Sequence, residues 1–402
     1  MVLCKTVSDP VVSDPGEDGS MKQLFCLALA ACLLLCACAV PNDDGTSQPT
    51  QTESMAPPTS EETQYTEFTE VTEETQLTEP PTEPPTEPPV LYTNPLTGEP
   101  LDAPMTNRPF AVMLNNIKAA MPQHGVSQAD ILYEILAEGN ITRCMGIFSD
   151  IASVDAIGSI RSARKYYVDI AQSYDCVYVH AGGSYEAYNY MTDIKCDHID
   201  GVQGANASKY YYRDKDRLNS GYSKEHTMFI TGPKAIEYAT VRKCTLTRTN
   251  ELNYGLKFDD ETLIIGSAAN KVKIYFNTGS KPSSSTKSTT MTYNAEDGLY
   301  YAYQHGKDYI DGNTGKTIAF KNLIVLKAKT STQSDGKLRT INLTGSGEGY
   351  FVCNGQLIPI QWSRESLYKP FVYTMGNGTP LTLGVGSTYI AVIPTKGVVE
   401  YE

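Results

Sequence analysis

The sequence predicts an α/β layer domain over residues 91–250, followed by an all-β domain, a sandwich or a barrel, over residues 251–402. Three observations carry this. Residues 107–240 alternate strand-like apolar runs with segments of helical period. Past residue 256 the helical period stops, and short β-rich runs follow, separated by Asp-Gly, Gly-Asn and Asn-Gly turns. Before residue 91, the apolar content is concentrated in one short run, LFCLALAACLLLCAC at 24–38.

Residues 1–20 are polar and read as a misassigned start, with Met21 as the working start. Met21-Lys22 and the apolar run then form a signal peptide over 21–37. The run is shorter than the roughly 20 residues a transmembrane helix needs. It ends in Leu35-Cys36-Ala37-Cys38, which reads as a lipobox. Leu35 stands three before the cysteine, and a small residue stands directly before it. Cys36 fits less well, because Leu35 would sit in that narrow adjacent place. Cys38 is therefore the expected site of lipidation. Two or three acyl chains there, palmitate among them, would hold the protein stably to the outer face of a bacterial cytoplasmic membrane, Gram-positive in type.

Residues 38–90 read as a disordered Thr/Pro/Glu tether. Residues 41–90 carry twelve Asp or Glu and no Lys or Arg. Such a segment cannot bury enough apolar surface to offset chain entropy, and its TEPP repeats favour extended polyproline II at ~3.1 Å per residue. The net charge of −13 is thus concentrated in leader and tether: residues 91–402 hold 31 basic and 30 acidic residues. That near-neutral part has no basic field of the kind nucleic acid requires.

Within the first folded half, 110–115, 131–138 and 141–149 read as strands, the second apolar on both faces as a central strand is. A helix is predicted over 161–175, where Ala163, Tyr166, Tyr167, Ile170, Ala171 and Tyr174 keep helical spacing. A strand follows at 176–180, then a helix capped by Ser184. A last strand at 226–230 leads into a helix opened by Thr231, with Pro233 in its first turn. In the second half KVKIYF, NLIVLKA, GYFVCNG, QLIPIQW and TYIAVIP read as strands, with a loop at 280–290. Trp362, Tyr368, Tyr373 and Tyr389 have two readings, a sugar-binding face or ordinary core and surface, and the chain's 27 tyrosines favour the second. Cys144, Cys176 and Cys353 read as buried small hydrophobes, and a Cys196–Cys244 bridge is an open alternative. No CxxC or His cluster supports a metal, and no motif calls for a cofactor.

The chemistry concentrates in Gly158-Ser-Ile-Arg161-Ser-Ala-Arg164-Lys165. This places three cations at the start of the predicted helix, where the positive helix end disfavours each by ~0.3–1 kcal/mol. A bound anion would offset that, and free helix-start amides would bind it too. Arg143, on the strand feeding the loop, is the fourth cation. Gly182, Gly183 and Ser184 begin the next helix at the same carboxyl edge of the sheet, where ligands of open α/β sheets bind. The competing reading is internal: Glu134 and Glu138 share one face of a buried strand and need partners, which the arginines would supply. The two readings can coexist.

Glu134, Glu138, His180 and His226 are the candidates for acid–base work. The two carboxylates lie about 13 Å apart along the strand, wider than the ~5–9.5 Å of a glycosidase pair. Each histidine sits at a strand end and serves either as a general base or as a hydrogen-bonded structural residue.

NPLTGEPL at 94–101, NRPFAVMLNN at 107–116, QADILYEILAEGNITR at 128–143, GSIRSAR at 158–164, YDCVYVHAGGSYEA at 174–187, EHTMFIT at 225–231 and GEGYFVCNGQLIPIQWSRES at 347–366 resemble YerB-type bacterial lipoproteins. The resemblance spans roughly 94–396 and departs at Glu225, where proline is expected. It implies an envelope lipoprotein with an N-terminal domain of unknown function and a C-terminal β-domain. Two functions follow. One is a non-enzymatic module that binds a cell-wall glycan, a lipid-linked precursor or a wall-synthesis protein. The other is an enzyme on polyprenyl-diphosphate-linked glycans, gripping the diphosphate with paired guanidinium groups. No Asp triad for Mg²⁺ stands beside the arginines, which favours binding.

Overall fold

The computed structural model describes residues 92–402 except 249–253, 260, 262–263, 278 and 280. The leader, the Cys38 anchor and the tether lie outside the described residues. The described residues belong to one compact unit.

Its spine is a mixed sheet of eleven strands. The three strands at its heart are Asn322–Ala328, Thr388–Pro394 and Ile131–Glu138, mutually parallel and in that order. Their sequences are nearly unbroken apolar runs because both faces of each are covered. On one side the sheet continues through Ile141–Phe148, Phe110–Asn115, Val177–His180 and His198–Asp200. On the other it continues through Gly345–Cys353, Gln356–Arg364 and Ser267–Ala268, with Val372–Met375 also pairing to Gln356–Arg364. The two halves read from the sequence therefore share one sheet, joined where Thr388–Pro394 pairs with Ile131–Glu138.

Four α-helices are described: α1 (Lys165–Ser173), α2 (Tyr185–Asp193), α3 (Lys215–Asn219) and α4 (Gly232–Val241). Side-chain alternation along Phe110–Asn115 sorts them. Ala111 and Met113 join a core with Tyr167, Ile170 and Ala171 of α1 and Met191 of α2. Phe110, Val112 and Leu114 join a second core with Ala235, Tyr238 and Ala239 of α4. That second core also takes Val272, Ile274, Met291 and Tyr300 from a separate six-stranded sheet built by the C-terminal half.

The predicted barrel alternative is corrected here. The C-terminal strands divide between the large sheet and the six-stranded one, and among the described residues neither closes into a barrel. The reason lies in Asn322–Ala328 and Thr388–Pro394, apolar on both faces, which find cover only inside a larger sheet. Trp362, Tyr373 and Tyr389 are core residues, while Tyr368 is exposed, so they form no common sugar-binding face.

A buried carboxylate fastens the six-stranded sheet's loop to the N-terminal half. Asp311, fully buried, accepts from the backbone N–H groups of Gly125 (3.2 Å) and Ser127 (2.8 Å) and from the Ser127 hydroxyl (3.1 Å).

Candidate functional site

The predicted helix start moves. α1 begins at Lys165, so Arg161 precedes the helix and Arg164 is its N-cap, with extended backbone. The cause is pairing on both sides of the segment. The Arg161 N–H donates to Met113 O (3.0 Å), and Ala163 N–H donates to Gly182 O (2.8 Å). Ala181 N–H in turn donates to Arg161 O (3.0 Å). The arginine loop and the Gly182–Ser184 loop are thus zipped together at the carboxyl edge of Val177–His180.

That zipping brings Arg143, Arg161 and Arg164 to one place, with unequal roles. Arg143 is buried; its Nη2 donates to Glu138 Oε1 (2.9 Å) and its Nη1 to Ser162 O (2.6 Å). Burial and the charge of Arg161 push its pKa down to about 10. Arg164 donates to the same Glu138 oxygen and to Ala163 O (2.7 Å). Glu138 is therefore the internal partner of two guanidinium groups. Arg161 lies at the open edge, paired at 2.9 Å with Glu225, whose side chain is 55% exposed. The Nε–H groups of Arg161 and Arg164 are buried without a hydrogen-bond partner. Lys165 leaves the group: it pairs with Asp169 (3.2 Å) and covers the Tyr190 ring.

The other candidates are engaged internally. Glu134 finds Lys287 rather than an arginine, at 2.9 Å. It also accepts from Asn116 (2.9 Å), Thr142 (2.8 Å), Thr289 (2.8 Å) and Tyr389 (2.7 Å). Burial pushes its carboxyl up, but the Lys287 ammonium and these donors outweigh burial, and the pKa is lowered. His180 is fully buried between Gly182 O (2.8 Å) and His198 Nδ1 (2.9 Å). Burial lowers its pKa, and burial with the neighbouring His180 takes His198 down to about 4. His226 lies in a short turn before the strand Met228–Ile230, with Nδ1 2.9 Å from Asn115 Nδ2, and burial lowers its pKa too. The Gly182 amide donates to Asp200 (2.8 Å), so it is already used. Ser184 caps α2 as predicted, accepting from Ala187 N–H (3.2 Å). Cys196 and Cys244 are free thiols, and no bridge joins them.

Sequence reasoning missed four participants. Glu225 and Lys287 sit 64 and 153 residues from the groups they pair with, beyond any local pattern. Asp200 was passed over in a run with no motif. The hairpin Thr330–Thr332 and Arg339–Ile341 comes from the other half: Arg339 donates to Gly139 O (2.7 Å) and Gln333 to Glu186 (2.8 Å), closing over the Glu138 side.

Two family models match the chain. Residues 96–245 match the N-terminal domain, and residues 280–390 the C-terminal domain, of the protein of unknown function DUF3048. The chain belongs to the DUF3048 family. The DUF3048 chain is 27% identical over 308 residues to a Bacillus subtilis (strain 168) protein named "Putative lipoprotein YerB", covering 75% of this chain and 86% of that one. The crystal structure of YerB from Bacillus subtilis superposes with a TM-score of 0.65 at 26% identity, over 77% of this chain and 99% of that chain. Both DUF3048 domains of the match meet on the large sheet described above. Among the described residues of this DUF3048 protein, no helix is long and apolar enough to cross a membrane.

Proposed function

We propose that this protein is an extracytoplasmic lipoprotein, anchored through Cys38, that binds an anionic envelope ligand of the lipid-linked glycan type without turning it over. In this reading the N-terminal half is an α/β layer whose carboxyl sheet edge presents Arg161. The observation that carries it is the state of Arg161. Its two neighbours share the Glu138 carboxylate, whereas Arg161 meets just the half-exposed Glu225, through its carboxylate and its backbone carbonyl, and its Nε–H, like that of Arg164, is buried and unpartnered. A diphosphate would take the place of the Glu225 carboxylate and meet a fork of donors already in position. Binding is preferred to catalysis because Glu134, Glu138, His180 and His226 are all occupied by internal partners. The name of its YerB relative supports the lipoprotein reading.

Two results are expected. Cys38→Ala abolishes lipid labelling and releases the protein from membranes; labelling that persists in this variant refutes the anchor. For the ligand, the full chain in detergent is titrated at low salt with a polyprenyl-diphosphate-linked disaccharide. Arg161→Ala weakens binding about tenfold or more, since one charge-assisted bidentate contact contributes ~1.5–3 kcal/mol. Absence of binding by the unmodified chain refutes the proposed site.

A further inference from the structure

A second cleft is lined by none of the arginines. A cleft of about 440 Å³ opens between residues 116–118 and 140–142 of the N-terminal half and residues 284–288 and 305–306 of the C-terminal half. That volume falls within the ~300–1,000 Å³ range of small-molecule sites.

The walls define the ligand. Lys118, Asn140, Ser285, Lys287 and His305 present ammonium, amide, hydroxyl and imidazole groups, and no carboxylate lines the cleft. An apolar ligand would leave these groups desolvated and unpaired. A ligand dense in hydroxyl groups satisfies them. Ile117 and the 43%-exposed Ile141 supply the aliphatic surface that the C–H face of a pyranose ring needs.

The cations differ. Lys287 is fixed by Glu134, by Gln304 Oε1 (2.8 Å) and by Thr289 Oγ1 (2.8 Å), so its charge is already compensated. It is a positioning residue that ties the 284–288 loop to the strand Ile131–Glu138. The loop is braced again where Ser283 N–H donates to Thr286 Oγ1 (2.9 Å). Lys118 is exposed and has no acidic group beside it in the cleft, so it is the ammonium left to meet a ligand's charge.

We infer that this cleft binds a saccharide carrying a carboxylate or a phosphate, with its hydroxyls on Asn140 and the 284–288 loop and its charge at Lys118.

The test is calorimetric titration of the full chain in detergent with three probes: the N-acetylglucosamine–N-acetylmuramic acid disaccharide, glucose 1-phosphate and uncharged chitobiose. At least one acidic probe is expected to bind, about tenfold or more tighter than chitobiose. Binding by just one acidic probe identifies the source of the charge. Lys118→Glu and Ser285→Trp, both at exposed positions, each weaken that binding about tenfold, while Arg161→Ala leaves it unchanged. Lys287 is not substituted, because its loss would strand the buried Glu134. The inference is overturned if no acidic probe binds, if chitobiose binds equally well, or if neither cleft variant alters affinity. Loss of binding in Arg161→Ala would assign the saccharide to the arginine site and overturn it as well.

Discussion

Replacing Lys287 with methionine is expected to lower stability by ~3–5 kcal/mol, because it strands a carboxylate in the centre of the protein. Glu134 is 1% exposed and lies on the strand where the two halves of the chain join. In the unmodified protein burial raises its pKa, and Lys287 with the surrounding donors brings it below the usual value. A lowered folded-state pKa means that Glu134 contributes stability above its unfolded pKa, and that this contribution is lost as pH falls through the folded pKa. Removing the ammonium leaves burial to dominate, and the folded pKa then rises. The dependence inverts: in Lys287→Met the carboxyl is tolerated protonated at low pH, and stability is lost as pH rises through the raised pKa. Denaturant melts at acid and neutral pH measure both effects. The double variant Glu134→Gln, Lys287→Met is expected to recover most of the loss at neutral pH, since no buried charge then lacks a partner. A single variant that costs less than ~1 kcal/mol, or that shows no inversion with pH, excludes the Glu134–Lys287 pair as the lock between the halves.

The second large effect separates structure from recognition among the arginines. Glu138→Ala removes the carboxylate shared by Arg143 and Arg164, whose residues are only 3% and 8% exposed. The expected cost is ~3–5 kcal/mol, the penalty for a buried charge that loses its partner. Arg161→Ala is expected to cost less than ~1 kcal/mol, because its partner Glu225 is mostly in water and such pairs contribute little. Urea midpoints on the two variants make the comparison. If Arg161→Ala destabilises as much as Glu138→Ala, the three arginines form one internal network and the ligand reading of Arg161 fails. The proposed function thus divides the arginines by residue, with Arg143 and Arg164 assigned to the internal pairing and Arg161 to the ligand.

Periodicity and local chemistry were enough to place the strands at 110–115 and 131–138, the Tyr166–Ile170 stripe of α1 and the Ser184 cap, because each depends on neighbours within a few residues. The same local reading put Arg161 and Arg164 inside a helix. There the hydrogen bonds to Met113 and Gly182 won, and no helical pattern can anticipate partners on other strands. The C-terminal strands were legible as strands, but their apolar runs do not say which sheet will cover them. Pairing Thr388–Pro394 with Ile131–Glu138 closes contacts between residues more than 250 apart, a choice made by mutual burial rather than by sequence pattern. The site followed the same division. The arginines stood out by charge in an unfavourable place, whereas the identity of each carboxylate's partner was decided only when the chain brought Lys287 to Glu134 and Glu225 to Arg161. Buried charges demand partners, and which partner answers is a property of the packed fold.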